Sequence, residues 1–111
     1  MLFRSREAAS RFGCVVVLKG AGTVIAEPGG CAWINPTGSA GMATGGTGDV
    51  LTGAIAGFLA QGLKPFEAAQ AAVYLHGQAG DLAAGEIGSA GTLAGDLLPR
   101  LPRVLRQIAG R

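Results

Sequence analysis

Asn35-Pro36-Thr37-Gly38-Ser39-Ala40-Gly41-Met42-Ala43-Thr44-Gly45-Gly46-Thr47-Gly48-Asp49-Val50-Leu51 is the stretch on which the reading of this chain turns. With Gly53 just beyond it, the stretch gathers Gly38, Gly41, Gly45, Gly46 and Gly48, six of the chain's 20 glycines. Glycines in such a run let successive backbone N–H groups approach a ligand, because no Cβ stands in the way and positive φ is open. Gly48 and Asp49 lead straight into an apolar helical pattern, and a helix start adds partial positive charge that favours anions. Asp49 therefore places a carboxylate beside a candidate anion site. A plainer reading has Asp49 complementing the helix dipole while the glycines only turn the loop. The stretch by itself leaves both open.

Upstream, Ser5 to Phe12 reads as the end of a helix stopped at Gly13. Cys14 to Leu18 is a continuous apolar run without polar alternation, the pattern of a strand buried on both faces in a parallel sheet covered by helices. A helix feeding such a strand is half of a βαβ unit, so the first strand of that unit lies outside this sequence. Lys19-Gly20-Ala21-Gly22-Thr23 follows at the strand's carboxyl end, where ligands of open α/β sheets sit. An ordinary tight turn with an exposed lysine fits those five residues as well. Thr23–Ala26 and Cys31–Ile34, joined by Glu27-Pro28-Gly29-Gly30, carry a β-hairpin signal, with Trp33 covering the core edge.

Downstream, Leu51, Ile55, Phe58 and Leu59 recur at helical spacing and predict a core stripe. The Gly53 and Gly57 pair in that helix predicts close packing against a neighbour rather than membrane dimerisation, and its apolar stretch is shorter than the ~20 residues that cross a bilayer. Phe66 to Ala84 is alanine-rich and apolar on most faces, the pattern of a helix buried on more than one side. It carries His76, expected to be a satisfied packing residue, and Asp81, expected to make a local polar contact. Gly85 to Gly91 reads as a loop holding Glu86, and Thr92 to Leu98 as a short helix with Asp96 facing water. Pro99 and Pro102 delimit a last segment whose arginines, Arg100, Arg103, Arg106 and Arg111, form a solvated basic face.

Composition bounds the rest. Of 111 residues, 49% are apolar and 14% charged, so the chain is one core-forming domain at most. A net charge of +2 without a basic, aromatic-interleaved stripe argues against a nucleic-acid partner. No apolar leader is visible at the N-terminus, so a cytoplasmic protein without a membrane partner is expected. Cys14 and Cys31 lack metal-ligand spacing and read as buried free thiols, with no metal site.

The Lys19–Thr23 segment, Asn35–Gly38, Gly41–Leu51, the stretch Ala72-Val73-Tyr74-Leu75-His76-Gly77, Gly80-Asp81 and Asp96-Leu97 together resemble the C-terminal part of the ADP/ATP-dependent NAD(P)H-hydrate dehydratases, of the ribokinase-like superfamily. Gly46-Thr47-Gly48-Asp49 alone is shared by many ribokinase-like kinases; the longer Gly41–Leu51 run with Lys19–Thr23 is far more specific. Ser39-Ala40 replaces the Asn-Pro that often stands there, a mild departure that touches no chemistry. The resemblance implies that residues 1–111 are the C-terminal part of a dehydratase domain, a portion of a three-layer α/β/α fold whose sheet is incomplete in this chain. Cutting the sheet there would expose Val15, Val17, Val24 and an unpaired edge.

The resemblance further implies nucleotide-dependent dehydration of the S form of hydrated NADH or NADPH. Asp49 would contact the substrate as general base, and Gly46, Thr47 and Gly48 would form the anion hole. Lys19, Gly20, Ala21, Gly22 and Thr23, with Gly48, would hold ADP or ATP, accompanied by Mg2+. It also implies a homo-oligomer for the full-length protein. Two other readings use the same residues: a ribokinase-like small-molecule kinase, against which the Gly41–Asp49 run argues, and a truncated, inactive fragment.

Overall fold

The computed structural model describes residues 2–20, 22–38, 45–88 and 91–108. Ala21 and the centre of the glycine-rich loop, 39–44, lie outside them. Helix α1 (Leu2–Phe12) leads into strand β1 (Val16–Leu18), followed by β2 (Val24–Ala26) and β3 (Ala32–Ile34). Helices α2 (Thr47–Ala60) and α3 (Pro65–Ile87), a 3-10 turn at Ala94–Asp96 and helix α4 (Arg100–Ile108) complete the chain.

The strands form a three-stranded antiparallel sheet in the order β1-β2-β3. Val17, Ile25 and Trp33 stand in register across it. Side chains alternate faces along a strand, so these three share one face. There they pack with Leu51 of α2 and Ala69, Ala72 and Val73 of α3. Helix α1 packs against the strands, with Ser5 and Ala9 fully buried. Val24 and Ala26 point to the face opposite Ile25 and are also buried, so β2 is the doubly covered strand.

The predicted hairpin is present, as are the helix through Val50 and the long alanine-rich helix. Ten residues of α3 are buried, spread around more than one face. Several expectations fail, each for a local reason. The Cys14–Leu18 run is not a doubly buried parallel strand: only Val16–Leu18 is extended, it pairs antiparallel with β2, and as an edge strand it is half-buried. Val15 and Val17 are half-buried against the core, and Val24, in the central strand, is buried. Cys14 and Cys31 are free but exposed, because each precedes its strand instead of lying within it.

Leu59 is 43% exposed and drops out of the core stripe that Leu51, Ile55 and Phe58 form. Gly53 and Gly57 face open space, with nothing within 4 Å of an added Cβ. Glu86 is in the last turn of α3, not in a loop, and receives Arg100 (3.1 Å) and Arg103 (3.2 Å). Arg100 is therefore only 13% exposed, and the α4 arginines are not simply a solvated face. Pro102 lies inside the first turn of α4, where the missing N–H costs nothing. Asp96 is half-buried, its carboxylate accepting the Leu93 N–H at 2.8 Å. Among the described residues, no helix is long and apolar enough to cross a membrane.

Candidate active site

The sheet order decides where the predicted residues meet. β1 and β3 both run antiparallel to β2, so they point the same way and end at the same edge of the molecule. Lys19 leaves the end of β1 and Asn35 the end of β3. The two exits are tied together: the Thr23 carbonyl accepts the Asn35 N–H at 2.8 Å, and the Thr23 hydroxyl reaches the Gly20 carbonyl at 3.4 Å.

From Asn35 the chain runs along α3. Asn35 Nδ2 donates to the Thr37 hydroxyl (2.9 Å) and carbonyl (3.1 Å), and the Thr37 hydroxyl donates to the Tyr74 carbonyl at 3.0 Å. About two turns on, the Gly38 N–H donates to Asp81 Oδ2 at 3.1 Å. This latch fits because position 77 is glycine: a Cβ there would run into Thr37 Oγ1 and lie 2.9 Å from the Thr37 carbonyl carbon.

The loop ends at Gly46, whose φ of 91° is a conformation that side-chain-bearing residues seldom adopt. The Gly46 carbonyl accepts the N–H groups of Asp49 (3.1 Å) and Val50 (3.3 Å), closing the first turn of α2. The early N–H groups of any helix point out of its start, which puts those of Thr47 and Gly48 at the site. Lys19 Nζ comes here from β1, 2.8 Å from where a Cβ on Gly48 would sit. Cation and helix start thus meet at one surface, and Asp49, the residue after Gly48, is exposed.

Behind the surface lies His76, 5% exposed, with Nε2 2.9 Å from the Thr47 carbonyl. Burial pushes its pKa below the usual imidazole value. The bond to Thr47 opposes that and nearby Lys19 adds to it.

Of the predicted residues, Lys19, Gly20, Thr23, Gly46, Thr47, Gly48 and Asp49 are brought to this end. Gly22 keeps to the turn before β2, 3.5 Å from the Ile34 side chain at its would-be Cβ; Ala21 is not among the described residues. Sequence reasoning missed the latch of Asn35 and Thr37 on α3. Its one local sign was Gly77, a glycine inside a strong helix, which flags a close approach. Among the described residues no cluster of three or more His, Cys, Asp or Glu could cage a metal ion.

The architecture matches a portion of the ribokinase-like fold. Over 96% of its length the chain aligns with ADP/ATP-dependent NAD(P)H-hydrate dehydratase from Bacillus subtilis, co-crystallized with ATP/Mg2+, at TM-score 0.91 and 44% identity, covering 38% of that chain. A ribokinase-like superfamily protein from Enterococcus faecalis aligns over 96% of this chain at TM-score 0.80 and 39% identity, covering 37% of that chain. A family model described as NAD(P)H-hydrate dehydratase matches residues 3–103. The chain belongs to the NAD(P)H-hydrate dehydratase family. It is 58% identical over 100 residues to the bifunctional NAD(P)H-hydrate repair enzyme of Moorella thermoacetica, covering 90% of this chain and 19% of that protein. It is 39% identical to the ADP-dependent (S)-NAD(P)H-hydrate dehydratase of Xanthomonas campestris, covering 90% of this chain and 35% of that protein.

Proposed function

We propose that residues 1–111 are the C-terminal part of a dehydratase domain that converts the S form of hydrated NADH or NADPH back to the reduced dinucleotide, using ADP or ATP. The observation that carries this is the convergence of Lys19 Nζ on Gly48 at the start of α2, beside Asp49. A cation, outward-pointing amides and a carboxylate at one helix start suit phosphoryl transfer better than a turn or a packing contact.

Asp49 takes the proton of the hydrate's hydroxyl as that oxygen bonds to the terminal phosphorus, whose bond to the nucleotide's bridging oxygen breaks. The amides of Gly46, Thr47 and Gly48 stabilise charge on the phosphoryl oxygens during transfer. The carbon–oxygen bond to the new phosphate then breaks and the adjacent carbon loses a proton, restoring the ring double bond. Lys19 and the turn through Gly20, Ala21, Gly22 and Thr23 hold the nucleotide. Mg2+ commonly arrives with nucleotide phosphates and one or two carboxylates; Asp49 is the carboxylate at hand, and the ion would neutralise phosphate charge.

Calorimetric titration with ADP and ATP tests the site. Removing a charged hydrogen-bond donor costs about 1.5–3 kcal/mol, so Lys19→Met is expected to bind roughly 10–100-fold more weakly. Equal affinity in the variant would remove Lys19 from the site.

A further inference from the structure

The glycine-rich loop and the start of α2 rest on α3 through the bonds of Thr37 and Gly38 and through one between Thr47 and His76, and the last reaches the anion site through the backbone. The Thr47 carbonyl and the Gly48 N–H belong to one planar peptide unit, so fixing the oxygen fixes the hydrogen on the opposite side. The oxygen meets His76 Nε2 at 2.9 Å from inside the protein. A carbonyl can only accept, so Nε2 carries the proton and donates. The hydrogen points out of the helix start, and Lys19 Nζ lies 2.8 Å from where a Cβ on Gly48 would sit.

We propose that His76 is a positioning residue: by donating to the Thr47 carbonyl it holds the Thr47–Gly48 peptide in place and polarises the Gly48 N–H toward a bound phosphate. The inference rests on the proposed nucleotide site for its functional consequence, whereas the hydrogen bond between His76 and Thr47 is a feature of the fold. Hydrogen bonds in a chain strengthen one another, by about 10–30% per bond in condensed phase. His76 N–H, the peptide unit and the phosphate form such a chain of three. The buried setting supports the role, since a ring 5% exposed and flanked by the packed face of α3 has little freedom to turn away. Next to it Gly77 receives Thr37, so adjacent residues of α3 secure the entry and the exit of the same loop.

Three versions of the chain separate this from a packing role. His76→Gln keeps an N–H donor of similar reach, and His76→Leu keeps bulk without a donor. Amide hydrogen exchange is read along α3 and at Asp49 and Val50, whose N–H groups close the first turn of α2 on the Gly46 carbonyl, and binding is titrated with ADP and with adenosine, which lacks phosphate. With Leu, exchange at Asp49 and Val50 is expected to quicken about tenfold while α3 is unchanged, and ADP to bind about tenfold more weakly, the scale of one lost hydrogen bond; adenosine binding should hold. Gln should restore both within about twofold, as the donor returns.

Unchanged exchange at Asp49 and Val50 with Leu, or equal loosening of all of α3 by Leu and Gln, would overturn the proposal. The expected exchange pattern in a protein that fails to bind ADP even unmutated would support the clamp and overturn the nucleotide site instead. Should His76→Leu not fold, the unmutated protein decides: its His76 Nε2 proton resonance is expected to move downfield on adding ADP and not on adding adenosine. A resonance that ignores ADP would refute the relay.

Discussion

Gly77 and Gly85 lie in the same helix, and replacing each by alanine should move stability in opposite directions. At Gly77 the new Cβ would strike the Thr37 side chain and crowd its carbonyl carbon at 2.9 Å, and backbone cannot move aside as a flexible side chain could. Overpacking of this kind costs about 1–3 kcal/mol. Displacing the Thr37 hydroxyl from the Tyr74 carbonyl adds about 1 kcal/mol. Alanine's better helix propensity returns about 1 kcal/mol. The net loss is therefore roughly 1–3 kcal/mol. For a domain of this size each 1 kcal/mol shifts the thermal midpoint by about 4–8 °C, so a fall of roughly 5–20 °C is expected. Gly85 is exposed with nothing within 4 Å of a Cβ, so only the propensity term acts. Its replacement should raise the midpoint by a few degrees, following a gain of about 1 kcal/mol at most. Thermal unfolding followed by circular dichroism reads both. If Gly77→Ala raised the midpoint as Gly85→Ala does, the latch of Thr37 on α3 would be wrong.

Two expectations concern pH. Hydrogen bonds from Arg103 and Arg100 hold the Glu86 carboxyl below its usual range. A depressed carboxyl pKa stabilises above the unfolded value and loses that contribution as pH falls through the folded one. The midpoint difference between the unmutated chain and Glu86→Gln should therefore begin to shrink as pH falls below about 4.3, the unfolded value, and be lost as pH falls through the lower, folded one; a difference that did not shrink with acid would show that the ion pairs are not its source. His76 faces the Thr47 carbonyl and the charge of Lys19, and its pKa is lowered chiefly by burial. The unfolded chain thus takes up the proton at higher pH than the folded one, so stability is full above about pH 6.5 and declines on acidification through the lower, folded value. His76→Gln should flatten that decline, and an identical pH profile in the two proteins would contradict it.

The parts of the fold set by local pattern were legible in the sequence. The hairpin announced itself by its turn, α2 by its glycine-to-apolar switch, and α3 by alanines on most faces. His76 was legible as a satisfied buried group, but its partner was not, since Thr47 is 29 residues away in sequence. Non-local arrangement also explains the misreadings. The Cys14–Leu18 run lacks alternation because both its faces are half-covered, yet pattern cannot tell an edge strand from a central one, and β2 took the central place. The Gly53 and Gly57 pair had a helical spacing that suits close packing, but nothing in spacing says which side of the helix meets a neighbour. Glu86 was read as loop because glycines flank it, while α4 supplied the two arginines that hold the end of α3.

The central claim is that Asp49 at the start of α2 performs the chemistry. The direct measurement is recovery of the reduced-nicotinamide absorbance when hydrated NADH meets the protein, with ADP, with ATP and with neither, beside Asp49→Asn. It is run on this chain alone and on this chain supplied with the upstream part of the domain of the Bacillus subtilis relative, of which it matches 38%. A positioned base contributes about 10²–10⁴-fold, so recovery should require nucleotide and fall by that factor in Asp49→Asn. Recovery that is independent of nucleotide, or equally fast with asparagine at position 49, would contradict the account.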